Sequence, residues 1–326
     1  MLKSSKVKIG NVLLDNRVVL APMAGITNTA FRLIAKEFGA GLVHTEMISA
    51  KGLCYKQKRT YEYLIHSKEE KPISMQIFGS EPEVMSDAAQ ILVEHGADIV
   101  DINMGCPVKK VVKTGAGAAL LKDLKKAEKI IKAVRKVCSV PLTIKIRAGW
   151  TPEKPVFLEL LRIAEENGVD AVTIHARYAT QGYSVKADWN IIRKAKENTK
   201  DNVVIIGNGD IFSFEDAKKM QNDTNCDAVM IARGAIGNPW IFKDEIPTLS
   251  ERKRIILKHL AIEKRYIKKK ALGHIKAILI WYSKSLPYSS LFRQKVGKAK
   301  SEEELISLLN SYFSLLTERA YGNKSS

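Results

Sequence analysis

The chain has 326 residues, 45% of them hydrophobic and 27% charged, which excludes a disordered chain, a collagen-like repeat and a disulfide scaffold. Its 53 Lys and Arg against 35 Asp and Glu give a formal net charge of +18. That excess favours a polyanionic partner, nucleic acid or an anionic membrane, and says nothing about fold.

Residues 1–16 carry lysines without a following apolar stretch, so they do not read as a signal peptide. From there short β-branched runs alternate with helical patterns. The expected strands are Val18–Ala21, Leu42–Glu46, Ile73–Phe78, Ile99–Asn103, Leu142–Arg147, Ala171–His175, Val203–Gly207 and Ala228–Ala232. Helical periodicity lies between them at Thr27–Phe38, Pro82–His95, Leu124–Val137, Val156–Asn167, Trp189–Glu197 and Ser213–Gln221. Eight such units predict a parallel (β/α)8 TIM barrel. The rival is a doubly wound open sheet, which calls for a Gly-rich loop after the first strand; here that loop reads Pro22-Met23-Ala24-Gly25.

Beyond Pro239 only helical patterns follow. Ile275, Ile278, Leu279 and Tyr282 share one helix face, and Ser301 before Glu302-Glu303-Glu304 reads as a cap with an acidic first turn. The expected organisation is a catalytic barrel over 1–243 and a small basic helical bundle over 244–326. That second part carries 17 basic and eight acidic residues, and within 252–300 there are 15 basic residues and a single acid, Glu263. Its charge is too one-sided for a salt-bridged face and points to a polyanion-binding surface. No apolar run is long enough to span a bilayer, and the four cysteines form no C-x-x-C pair. A cytoplasmic protein with reduced thiols and no metal is expected. The tail offers no dimer heptad, so a monomer is expected too.

A barrel places its chemistry at the carboxyl ends of its strands. Thr143, Lys145 and Arg147 share the inward face of the fifth strand. A buried lysine needs an anionic partner. Either Asp101 pairs with it, or Gln76, Asn103 and His175 converge with it on a bound anionic cofactor. For His175 a satisfied core histidine is the alternative. Asn208-Gly209-Asp210 and Ala232-Arg233-Gly234 follow strands seven and eight, where barrels commonly hold a phosphate, although tight βα turns favour the same residues. Cys106 in Gly105-Cys106-Pro107 is expected at the mouth, with Lys109 and Lys110 lowering its pKa and making it a proton donor near neutrality.

These blocks, Ala21-Pro22-Met23-Ala24-Gly25-Ile26-Thr27, Asp101-Ile102-Asn103-Met104-Gly105-Cys106-Pro107, Lys145-Ile146-Arg147, His175-Ala176-Arg177, Asn208-Gly209-Asp210 and Gly237-Asn238-Pro239-Trp240, resemble the bacterial tRNA-dihydrouridine synthase family, B-type subgroup, from about Ile9 to about Val296. The resemblance implies FMN as cofactor, NADPH as reductant and tRNA as substrate. It implies reduction of the C5–C6 double bond of uridine, with hydride from reduced FMN to C6 and a proton from Cys106 to C5. It further implies that Pro22, Met23 and Ala24 line the flavin ring and that Gln76, Lys145 and His175 bind the flavin. Asn208, Gly209, Asp210, Ala232, Arg233 and Gly234 would hold its phosphate end. Asn103, Lys109, Arg147 and Arg177 would meet the substrate. Ala232 departs from the glycine more usual before that arginine. The competing readings are a small-molecule flavin enzyme, a Schiff-base aldolase at Lys145 and a non-catalytic RNA-binding protein.

Overall fold

The computed structural model describes residues 6–200, 202–267 and 272–322, without side-chain surroundings for 320–322. Lys268, Lys269 and Lys270 of the basic segment lie outside the described residues. The chain divides into two compact units, Met1–Gly234 and Ala235–Ser326.

The first unit opens with a hairpin, β1 (Val7–Ile9) and β2 (Val12–Leu14), turning through Gly10 at φ +55°. Eight parallel strands follow: β3 (Val18–Leu20), β4 (Val43–Ser49), β5 (Ile73–Phe78), β6 (Ile99–Met104), β7 (Leu142–Arg147), β8 (Ala171–His175), β9 (Val204–Asn208) and β10 (Ala228–Ile231). Their order is β3-β10-β9-β8-β7-β6-β5-β4. A parallel bridge between Val19 and Leu42, with Leu20 N–H donating to the Leu42 carbonyl at 2.9 Å, brings β3 back to the chain entering β4. The sheet is a closed TIM barrel, which leaves no unpaired edge.

The strands are buried on both faces, as parallel strands covered by helices must be. Outside them the helices are amphipathic. On Leu124–Val137, Ala127, Ile130, Ile131 and Val134 face inward and the Asp123 side chain accepts the Lys126 N–H at the start. Inside the barrel the hairpin packs Val7, Ile9 and Leu14 against Val19, Leu42, Ile99, Ile206 and Met230. That apolar plug fills one end. Towards the carboxyl ends of the strands the inward positions turn polar: Gln76, Asp101, Thr143, then Asn103, Lys145, Thr173, then Arg147, His175 and Asn208.

The second unit is built from a short turn of helix, Pro239–Phe242, and the helices Leu249–Tyr266, Leu272–Tyr282, Ser289–Lys298 and Glu302–Gly322. Trp240 belongs to its core, with its ring edge-on to Tyr282 at 6.1 Å. The Gly-Asn-Pro-Trp block therefore supplies packing to the helical unit. Ser301 caps the last helix by accepting the Glu304 N–H at 3.1 Å. Ile278, Leu279, Tyr282 and Phe292 are buried, while Arg254, Lys264, Arg265, Lys284, Lys295, Lys298 and Lys300 are exposed.

One buried ion pair fixes the segment that carries the Pro22-Met23 turn. The Arg32 guanidinium, on the helix Thr29–Glu37, bonds the Glu70 carboxylate and donates to the carbonyls of Thr27 (2.7 Å) and Ile65 (2.9 Å). Burial pushes the Glu70 carboxyl up, against the opposing pull of Arg32. Arg32→Met is expected to destabilise the protein by roughly 3–5 kcal/mol, because it leaves a buried charge without its partner. Adding Glu70→Leu is expected to recover part of that loss. Urea unfolding of the two variants measures both effects; native stability in Arg32→Met would contradict the assignment.

Candidate active site

A cleft opens at the carboxyl ends of the barrel strands. It is lined by Ala21, Pro22 and Met23 on one side and by the ends of β7 to β10 on the other, including Lys145, His175, Asn208, Gly209, Asp210, Ala232 and Arg233. Its lining carries three cations, Lys145, Arg177 and Arg233, and one carboxylate, Asp210.

Lys145 stands on the inward face of β7. Its Nζ donates to Asn208 Oδ1 at 3.1 Å, and Asn208 Nδ2 donates onward to the Met230 carbonyl at 2.8 Å. No carboxylate among the described residues reaches the ammonium within ion-pair distance. Asp101, the partner considered from the sequence, instead accepts from Gln76 and Thr143. Burial first, then the nearby Arg147, lower the Lys145 pKa to about 8, while the charges of Asp101 and Cys106 oppose the shift.

Asp210 organises the outer cations from a left-handed backbone position, φ +56°. Both its oxygens accept from Arg177 Nη2 (2.7 and 2.6 Å), one accepts from Arg233 Nη2 (3.1 Å) and one from the Ala187 N–H (2.8 Å). Desolvation raises the carboxyl pKa, but the Arg177 bond, the Ala187 N–H and the two guanidinium charges together leave it below its usual value. A carboxylate cannot itself hold a phosphate. Asp210 holds the arginine that can.

Arg177 is 1% exposed and bonds, besides Asp210, the Val185 carbonyl (2.6 Å) and His175 Nε2 (3.0 Å). It forms a wall of the cleft, with its donors taken up by neighbouring chain. His175 accepts at Nε2 from that guanidinium, so its proton sits on Nδ1. Burial, then the charges of Lys145, Arg147, Arg177 and Arg233, push its pKa far down and keep the ring neutral. Arg233 remains half-exposed, its guanidinium 4.0 Å over the Tyr183 ring and 5.2 Å over Phe212. Gly209 lies at φ +130°, and a Cβ there would stand 2.8 Å from Ala187 Cβ.

The other expected residues are placed as follows. Ala24 is exposed and Gly234 lies within the short turn Arg233–Ala235, both off the cleft lining. Lys109 is exposed on the short helix Lys109–Val112. Arg147 is buried and donates to the carbonyls of Tyr178 (2.7 Å) and Gln181 (3.2 Å), so it pins the loop after β8. Gln76 is fully buried below the cleft, where its amide bonds Asp101 and Asn103. Asn103 turns its Oδ1 to the N–H groups of Gly105 (3.2 Å) and Cys106 (2.9 Å), so its carbonyl holds the Cys106 loop. Tyr183, Ile211 and Phe212 also line the cleft, although no pattern in the sequence singled them out. The signal for Tyr183 was its place in the loop after His175-Ala176-Arg177.

Cys106 is half-buried and lies off the lining of this cleft. Burial raises its thiol pKa. The Val108 N–H, Arg147 and Lys145 pull it down less strongly. The expectation of a lowered pKa through Lys109 and Lys110 is overturned on both counts: those lysines point into solvent, and desolvation outweighs the cations that are near. The consequence is a thiol that keeps its proton at neutral pH. Peptide-resolved alkylation of Cys106 is expected to keep accelerating past pH 9. A rate that levels off below pH 8 would contradict this.

A closed parallel barrel with an uncompensated cationic cleft at its strand ends is the build of a barrel enzyme that holds an anionic group. Residues 19–317 match the family model described as Dihydrouridine synthase (Dus). The tRNA-dihydrouridine synthase B of Pasteurella multocida is 39% identical over 321 residues, 95% of this chain and 96% of that protein. A probable tRNA-dihydrouridine synthase of Rickettsia typhi is 38% identical over 89% of this chain and 92% of that one. The chain belongs to the dihydrouridine synthase family, and with it to the flavin-dependent oxidoreductases. Among solved structures, morphinone reductase in complex with tetrahydroNAD aligns with a TM-score of 0.53 at 14% identity over 76% of this chain and 93% of that one. A variant of NCR from Zymomonas mobilis aligns at 0.55 and 16% over 77% and 95%. At such identities the likeness is one of fold.

Proposed function

We propose that this protein reduces the C5–C6 double bond of uridine in tRNA, with FMN as its resident cofactor and NADPH as the reductant. The observation that carries the reading is the charge of the cleft: three cations around one carboxylate, with Lys145 paired to a neutral amide. The donor set fits FMN. Arg233, held by Asp210, would take the phosphate. His175 offers Nδ1–H, and Lys145 offers its remaining ammonium protons to the polar edge of the ring. Pro22 and Met23 supply an apolar wall. When bound, FMN supplies the hydride delivered to C6 of the uracil, after reduction by NADPH.

The chain's own residues do the rest. Lys145 stabilises negative charge beside it electrostatically. Cys106 keeps its proton until it is needed and donates it at C5. The target base is stacked in folded RNA and must be flipped out to reach the barrel mouth. The exposed lysines and arginines of the helical unit would grip tRNA through phosphates and shape.

Cys106→Ala is expected to retain the flavin and to lose roughly 10²–10⁴-fold in tRNA reduction. The readout is the two-hydrogen mass increment at the modified nucleotide; undiminished turnover would remove Cys106 from the chemistry. A second expectation follows from Lys145. A neighbouring anion raises its pKa above the free value of about 8. Below pH 8 the ammonium is already charged and binding needs no proton. Above pH 8 each bound anion must bring one, so FMN affinity of the apoprotein falls by up to about tenfold per pH unit. Fluorescence titration across pH 6.5–9.5 measures this. In Lys145→Met the slope is expected to vanish.

A further inference from the structure

We propose that Asp101 is a positioning residue for Cys106, acting through Gln76 and Asn103. The inference rests on the reading of Cys106 as the proton donor.

Gln76, Asp101 and Thr143 are register partners on β5, β6 and β7, so their side chains stand side by side in one layer inside the barrel. Asn103 lies two residues beyond Asp101 on the same strand and therefore on the same face. Asp101 is 1% exposed and has no cation at ion-pair distance among the described residues. Its oxygens accept from Thr143 Oγ1 (2.6 Å) and from Gln76 Nε2 (2.6 Å). A buried carboxylate held only by neutral donors is costly, and a hydroxyl or amide could fill the same space at lower cost. What the carboxylate adds is polarity: it accepts and never donates.

That one-way character sets each amide above it. Gln76 must turn its NH2 towards Asp101, which leaves Oε1 for Asn103. Asn103 gives its Nδ2 to that oxygen at 2.8 Å. Its Oδ1 is then directed at the N–H groups of Gly105 and Cys106. A reversed Asn103 amide would set an NH2 group against two N–H donors. Gln76 is fully buried and cannot swing away. On the other side of residue 106, the Ala118 N–H donates to the Cys106 carbonyl at 3.0 Å, and a Cβ on Gly117 would stand 2.7 Å from that oxygen. Cys106 is thus held at its N–H by the relay and at its carbonyl by the Gly117-Ala118 turn. The direction of the thiol follows from both.

Two variants test this. Gln76→Met cuts the relay at any pH. The double exchange Asp101→Asn with Gln76→Glu keeps it: the amide at 101 donates to the carboxylate at 76, which still accepts from Asn103, and the buried charge stays the same. Gln76→Met, assayed with FMN in excess, is expected to lower kcat for tRNA reduction roughly 10²-fold, with KM for tRNA unchanged. The Cys106 alkylation rate is expected to change severalfold. The double exchange is expected to recover most of both losses. Native kcat and native alkylation in Gln76→Met would overturn the proposal. So would a folded, flavin-loaded double exchange without turnover, and that result decides even if Gln76→Met does not fold. The alkylation arm reads the relay without activity, so a protein inert towards tRNA would refute the functional reading and leave the relay to be decided by the thiol.

Discussion

Positive charge without enough negative charge to meet it is the constraint that shapes the barrel mouth. Lys145, Arg177 and Arg233 face one cleft with Asp210 alone among them. Asp210 is used fully: two guanidinium groups and a backbone N–H converge on its two oxygens. Nothing remains of it for Lys145, whose pKa burial and then the nearby Arg147 lower to about 8. His175 answers the same field by staying neutral and accepting from Arg177. An anion in the cleft would relieve every one of these costs together. An apolar or cationic ligand would relieve none.

The barrel interior separates its tasks by height. The β1–β2 hairpin and its apolar partners close one end. Above them lies the layer of Gln76, Asp101 and Thr143, in which a negative charge is held by neutral donors. Above that lie the cations. Asp101 therefore does two things at once. Its field raises the Lys145 pKa against burial, and its acceptor-only chemistry sets the orientation of the amides leading to the Cys106 loop. The separation explains why the two charges do not pair: each has a different layer to organise.

Much of this architecture was legible in the sequence. Eight β-branched runs at regular spacing mark the barrel, and the alternation Thr143, Lys145, Arg147 by itself places three polar side chains inward. The clustering of Asn208-Gly209-Asp210 with Arg233 was legible too, because strands seven and eight must be neighbours. The hairpin was missed although Gly10-Asn11 between two apolar triplets marks a tight turn. Partnership was the harder matter. Periodicity tells that Arg177, Gln76 and Asn103 face the barrel mouth, but not whether their hydrogen bonds go to a ligand or to neighbouring chain. The direction of the Cys106 shift failed for the same reason: the adjacent lysines are near in sequence, whereas the desolvation that prevails comes from the enclosing loops.

The claim beneath the whole account is that the cationic cleft is a seat for FMN. It is tested most directly by the visible absorption of the purified protein, followed by chromatography of whatever denaturation releases. The account predicts the spectrum of an oxidised flavin and release of FMN in close to equimolar amount. A colourless protein that takes up no FMN when the cofactor is supplied would contradict it.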